Sequence, residues 1–173
     1  SIVLSVVPKV FDALTHKEKS ISQRVEGIID AYYALFLENP LLPMFILREL
    51  NRDSDLLINT IQQFNVMDTV HNALASVQEE MNEGKLRKVS LQFTFYNFYS
   101  LLTFPFLTKD ISTKVFRNDD KAFRAMLVEW KQNIIAQMLN LLEVKSPSRA
   151  CQAIRTSMYQ SRKSLKTFGT DII

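Results

Sequence analysis

The stretch LENPLLPMFILREL, residues 37–50, is strongly apolar yet carries Pro40 and Pro43 close together. A helix interior does not tolerate such a pair, because each proline removes an N–H donor and clashes with the preceding turn. A central strand would lose ladder hydrogen bonds. The residue before a proline is pushed out of the α region, so Asn39 ends the helix before it and Leu42 is disfavoured in the same way. Proline in the first helical turn costs little, since its missing N–H would be unsatisfied there anyway. The stretch therefore reads as a tight corner at 39–42 and a new short helix at 43–51, with Met44, Phe45, Leu47 and Leu50 turned inward.

Upstream of this corner, Ser20 and Gln23 have capping-box spacing, and Ile21, Val25, Ile28, Tyr32 and Phe36 recur at helical intervals. Gly27 inside that pattern costs roughly 1 kcal/mol against Ala, which suggests a close helix neighbour or a ligand that needs the room. Residues 2–14 form a short amphipathic segment interrupted by Pro8, and THKEKS (15–20) is a loop. Downstream, Asp53 or Ser54 caps a helix whose stripe runs through Leu57, Ile61 and Phe64. It continues through Met67, Val70, Leu74, Val77 and Met81, with a break near Asn65. Gly84 in MNEGKLR is a helix stop.

The run VSLQFTFYNFYSLLTFPFLT (89–108) has no charged residue and is long enough to span a bilayer. Gln92, Tyr96, Asn97 and Tyr99 are interspersed in it, and Pro105 sits near its end, so it reads instead as a helix buried inside a soluble assembly. A last long helix begins at Asn118 or Asp119 and reaches Leu142, with Phe123, Leu127, Trp130, Ile134, Met138 and Leu141 on one stripe. These last two helices carry more apolar surface than one small domain obviously covers. A dimer through a four-helix bundle accounts for the excess; a crowded monomeric core is the alternative.

Composition agrees with an all-α chain. Only 3 of 173 residues are glycine, far fewer than a β-sandwich or a Rossmann domain spends on turns and phosphate loops. Through residue 145 there are 16 Lys+Arg against 17 Asp+Glu; residues 146–173 hold 5 against Asp171 alone. The body is neutral and gives no sign of a broad nucleic-acid surface, and the basic tail reads as a solvated extension or a binding arm. The single cysteine, Cys151, excludes a disulfide framework and favours a reducing compartment. The start, SIVLSVVPKVF, lacks the pattern of a signal peptide and opens inside an apolar run, as a cut through a longer protein would.

Little points to catalysis. His16 and His71 have no ligand-spaced partner, so no metal is expected. Glu79-Glu80 and Asp119-Asp120 are adjacent pairs that diverge on a helix and read as solvated charges near helix ends. No nucleophile elbow, P-loop or dinucleotide fingerprint is present; no enzyme and no cofactor are expected. The aromatic residues, with Met67 and Met81, suit an apolar pocket in which tyrosine hydroxyls, Asn97 and His71 supply sparse polar contacts. Plain core filling is the alternative.

The element order, with YYALFLENPLLPMFILRELNR (32–52) and the run 83–107 with its Gly84 turn and FPFL, resembles the C-terminal regulatory domain of TetR-family transcriptional regulators. The resemblance covers about residues 1–143. It implies a multi-helix orthogonal bundle, with 1–145 as effector-binding and dimerisation domain and 146–173 as a basic extension. It also implies a homodimer built from helices 90–108 and 119–142 as a four-helix interface; the interface candidates are Phe95, Tyr99, Phe106, Phe123, Trp130, Ile134 and Met138. A small apolar or amphipathic effector would sit near Tyr32, Phe36, Met67, His71, Phe93, Tyr96 and Asn97. The family's N-terminal helix-turn-helix does not match any part of this sequence, so operator DNA would be reached only through a separate N-terminal segment. The resulting expectation is a cytoplasmic, bacterial repressor without membrane contact. A helical protein–protein interaction module is the alternative.

Overall fold

A computed structural model describes residues 2–52, four positions between 53 and 65, and residues 66–144. Seven helices lie in this part: α1 (Ile2–Thr15), α2 (Ile21–Glu38), α3 (Leu42–Arg52), α4 (Val66–Asn82), α5 (Leu91–Leu107), α6 (Lys109–Phe116) and α7 (Asp120–Leu142). The all-α expectation holds. The helix cap at Asp53 or Ser54, the stripe Leu57–Phe64 and the tail 146–173 lie outside the described residues.

The Ser20 capping box is present in both directions: Gln23 N–H donates to Ser20 Oγ at 3.2 Å, and Ser20 N–H donates to Gln23 Oε1 at 3.0 Å. Two orphan amides of α2 are thereby satisfied. At the other end the Asn39 N–H and its Nδ2 both donate to Leu35 O, at 3.0 and 3.1 Å, which seals the helix at the proline corner. α3 then starts at Leu42, one residue before the expected Pro43. Its inward face is narrower than expected, for Met44, Phe45 and Leu47 are exposed.

α4 ends on Gly84, whose φ of 75° lies in the left-handed region that glycine enters freely. The turn lets Lys85 and Leu86 donate to Glu80 O at 2.9 and 3.1 Å. α1 runs unbroken through Pro8. α6, which the sequence does not announce, is an amphipathic turn of chain ending in a left-handed Arg117 (φ 53°). α7 is capped by Asp119, whose carboxylate accepts from Ala122 N–H at 2.7 Å.

α5 continues past Pro105. That proline has no N–H for the carbonyl four residues back, Leu101. The indole Nε1 of Trp130 on α7 donates to Leu101 O instead, at 2.9 Å, and so joins the two helices at the carbonyl that the proline leaves free.

α1 packs on α4 and α2, α2 on α7, and α5 on α7, while α3 meets α5. The core between them is built from Val25, Ile28, Ile29 and Phe36 of α2, Met81 of α4, Leu102 of α5, and Leu127, Ile134 and Met138 of α7. One ion pair lies inside it. Arg24 and Glu80, 3% and 5% exposed, form a two-pronged bridge at 2.7 and 2.8 Å, and Arg24 also donates to Leu14 O at 2.9 Å. Glu80 is therefore not the solvated charge read from sequence: the helix turns it inward, where only a paired carboxylate is tolerated. Glu79, its neighbour, points outward to Lys17.

Gly27 is also corrected. It lies exposed on α2, and a Cβ placed there would meet nothing within 4 Å, so no neighbour among the described residues requires the glycine.

Candidate functional site

An apolar cavity of about 90 Å³ lies between α1, α2, α4, α5 and α7. Leu14, Ile28, Val77, Phe95, Phe98 and Met138 are among its walls, and Thr94 and Tyr99 are its only residues with polar side-chain groups among the described residues. A dry cavity of about 150 Å³ holds benzene, so this one suits a group of a few carbons.

α5 also carries an open groove of about 390 Å³ lined by Tyr96, Asn97, Tyr99, Ser100 and Thr103. Tyr99 therefore belongs to both spaces. Its hydroxyl meets that of Tyr32 at 2.7 Å, and the two rings stand edge to face with centroids 5.7 Å apart. Burial raises both phenols above the usual tyrosine range; for Tyr32 the charge that Tyr99 would carry adds to the effect. Both hydroxyls therefore stay protonated, and each can serve as donor or acceptor in the pair.

Tyr33, next along α2, has a buried hydroxyl with no hydrogen-bond partner among the described residues. Burial, with Asp30 nearby, pushes its phenol up to about 12.

The effector candidates are not brought together. Tyr32 and Phe36 sit in the core, their rings 5.6 Å apart, and Phe36 meets Phe106 edge to face at 5.1 Å. Met67 is half-buried and His71 exposed on α4. Phe93, Tyr96 and Asn97 all face outward from α5; Tyr96 and Asn97 line the outer groove, and none of the seven lines the inner cavity.

The interface candidates divide differently. Phe95, Tyr99 and Met138 line the inner cavity. Phe123, Ile134 and Met138 are at most 3% exposed within this one chain, so their surface is already consumed by its own helices. Phe106 and Trp130 are half-buried against the core. The aromatic side chains left uncovered on α5 are Phe93, Tyr96 and Phe104, between 58% and 67% exposed, while Phe95 lines the cavity yet stays 47% exposed.

Sequence reasoning missed the inner wall of α5, formed by Leu91, Thr94, Phe95 and Phe98. Those positions keep helical spacing, but the opposite face is equally aromatic, so no polar side marks which one turns inward.

His16 contacts Asp12 at 3.4 Å and Glu18 at 2.8 Å on the exposed surface. No group of three metal-ligating side chains is found among the described residues, and no helix among them is long and apolar enough to cross a membrane.

Comparisons of the chain with protein-family models, with curated proteins and with solved structures find no match.

Proposed function

We propose that this chain is the ligand-responsive, dimer-forming part of a TetR-like transcriptional regulator, a cytoplasmic repressor whose DNA reader lies outside this chain. The observation that carries this reading is the two-sidedness of α5. One face walls an apolar cavity, and the other carries an uncovered stripe through Phe93, Asn97, Ser100 and Phe104. On α7 the stripe Ala122, Met126, Glu129 and Asn133 keeps helical spacing and is half-buried or exposed. These two stripes, rather than the buried Phe123, Ile134 and Met138, form the four-helix interface of the proposed homodimer. A ligand that reshapes the cavity acts on the helix that holds the subunits together. Coupling of about 1–3 kcal/mol is typical of such an arrangement.

Sedimentation equilibrium tests the proposal. The chain is expected to be a dimer at micromolar concentration, and Phe93→Glu with Phe104→Glu to be a monomer with unchanged helix content by circular dichroism. A wild-type monomer at hundreds of micromolar refutes it.

One observation favours the interaction module instead. Leu41, Met44 and Phe45 at the proline corner are 82%, 43% and 57% exposed, a patch that neither the cavity nor the α5–α7 face uses. A dimer that persists after Phe93→Glu and Phe104→Glu but dissociates with Leu41→Glu and Phe45→Glu would point to that module.

A further inference from the structure

The cavity and the outer groove share one residue, whose side chain makes one hydrogen bond and packs on the rings of Tyr32, Phe95 and Phe98. Tyr99 lines both spaces, and its hydroxyl is tied to Tyr32 at 2.7 Å. We propose that Tyr99 is the gate of the cavity and that the ligand it admits is a small neutral amphiphile. A tail of a few carbons enters the cavity, and a hydroxyl-type head remains in the groove of Tyr96, Asn97 and Ser100, so head binding and dimer packing compete for Asn97 and Ser100. This rests on the ligand-responsive reading above and specifies its ligand.

The chemistry of the two linings sets the class. No charged side chain lines either space among the described residues, so neither a carboxylate nor an ammonium head meets a counter-charge. Groove donors are largely spent on the helix itself: Asn97 Nδ2 donates to Phe93 O at 2.8 Å, Ser100 Oγ to Asn97 O at 3.2 Å and Thr103 Oγ1 to Tyr99 O at 2.7 Å. Their oxygens keep free lone pairs. Tyr96 Oη accepts from Gln92 Nε2 at 3.4 Å, which leaves its proton to donate. The groove therefore offers several acceptors and two donors, the Tyr96 O–H and the second Asn97 N–H, which suits a neutral head that both donates and accepts, as an alcohol does. The inner cavity of about 90 Å³ limits the tail to a few carbons unless α1 or α5 shifts.

Methyl and amide NMR of the whole chain provides the test, with 1-butanol, butyrate and butylammonium as probes. Ile28, Leu74 and Val77 methyls report the cavity, and the Asn97 and Ser100 amides report the groove. Butanol is expected to move both sets together, with the two charged probes at least tenfold weaker. Tyr99→Phe removes the hydroxyl and keeps the ring, so ligand exchange should quicken several-fold with the same methyls shifting. Tyr32→Phe breaks the same bond from the opposite side and should do likewise if the first variant folds poorly.

Unchanged exchange rates in both variants overturn the gate, and equal binding of the charged probes overturns the ligand class. A chain whose cavity methyls ignore all three probes overturns the whole inference. Because Asn97 and Ser100 belong to both the groove and the proposed dimer stripe, butanol is expected to shift sedimentation toward monomer; a chain that sediments as a dimer without ligand but ignores butanol separates this failure from failure of the regulator reading.

Discussion

Breaking the Arg24–Glu80 bridge should be the most damaging single change in this core. Both side chains are nearly excluded from water, and the guanidinium spends one nitrogen on Glu80 Oε2 and the other on both Glu80 Oε1 and Leu14 O. Arg24 Nε is buried without a partner among the described residues, so the group already carries an unmet donor. In Glu80→Leu a full positive charge stays in the core with one carbonyl for company, a loss of about 3–5 kcal/mol. For a domain with about 5–15 kcal/mol in total, that is a large share. Arg24→Met should cost a similar amount by stranding the carboxylate. The double variant Arg24→Met/Glu80→Leu removes both charges and leaves Leu14 O short of one donor, worth about 1 kcal/mol. It should therefore sit within about 2 kcal/mol of the wild type, and the single losses should not add. Urea unfolding followed by circular dichroism, at one fixed protein concentration, gives all four values. Single losses under about 1 kcal/mol, or losses that simply add, refute the reasoning.

Trp130→Phe should cost about 1–3 kcal/mol by leaving Leu101 O unpaired. In a Pro105→Ala background the new N–H can serve that carbonyl, so the same substitution should cost less; an identical loss in the two backgrounds in urea unfolding counts against the Trp130–Pro105 link. Gly27→Ala should raise stability by about 1 kcal/mol, since the added methyl meets nothing, and a lowered urea midpoint would reveal a contact the chain makes elsewhere. Tyr33→Phe removes an unpartnered buried hydroxyl and should stabilise by about 1 kcal/mol at neutral pH. The raised Tyr33 phenol contributes stability that is intact below about 10 and lost as pH rises through about 12; unfolding curves should show that Tyr33→Phe loses less over this window. Asp120 has its carboxyl held below the ordinary 3.8 by Lys109 first and Arg124 second. Its contribution is present above that value and lost as pH falls through the lower folded one, so an acid titration of Asp120→Asn should show a shallower loss below about pH 4.

The proline corner was legible because its signals are local. Asn39, Pro40 and Pro43 act on their own backbone, as do Ser20 with Gln23 and Gly84, and each fixes a helix end whatever packs nearby. α6 was not legible: eight residues, KDISTKVF, with lysines interspersed among Ile111, Val115 and Phe116, fit a loop as well as a helix. Glu80 and Gly27 show the limit from two sides. Nothing in EEMN tells which of two adjacent glutamates turns inward, because that depends on an arginine 56 positions away. Nothing in VEGII says that its glycine faces open space.

The site was the hardest part to read, and α5 is the reason. Its inner and outer faces are both aromatic, so periodicity alone leaves the rotation of the helix undetermined. Pairing decides it: Tyr99 finds Tyr32, Phe106 finds Phe36, and Leu101 finds Trp130, all long-range contacts. Once these three fix the rotation, Phe95 and Phe98 face the cavity and Phe93 and Phe104 are left outside. The same rotation places Leu14 of α1 across the cavity from α5, and Leu14 is the residue whose carbonyl Arg24 holds. A ligand larger than the present space must therefore press either on the Tyr32–Tyr99 bond or on the end of α1 held by the buried ion pair. The first costs about 1 kcal/mol and the second several. The softer wall yields first, which sends the displacement toward α5 and the uncovered stripe rather than toward α1.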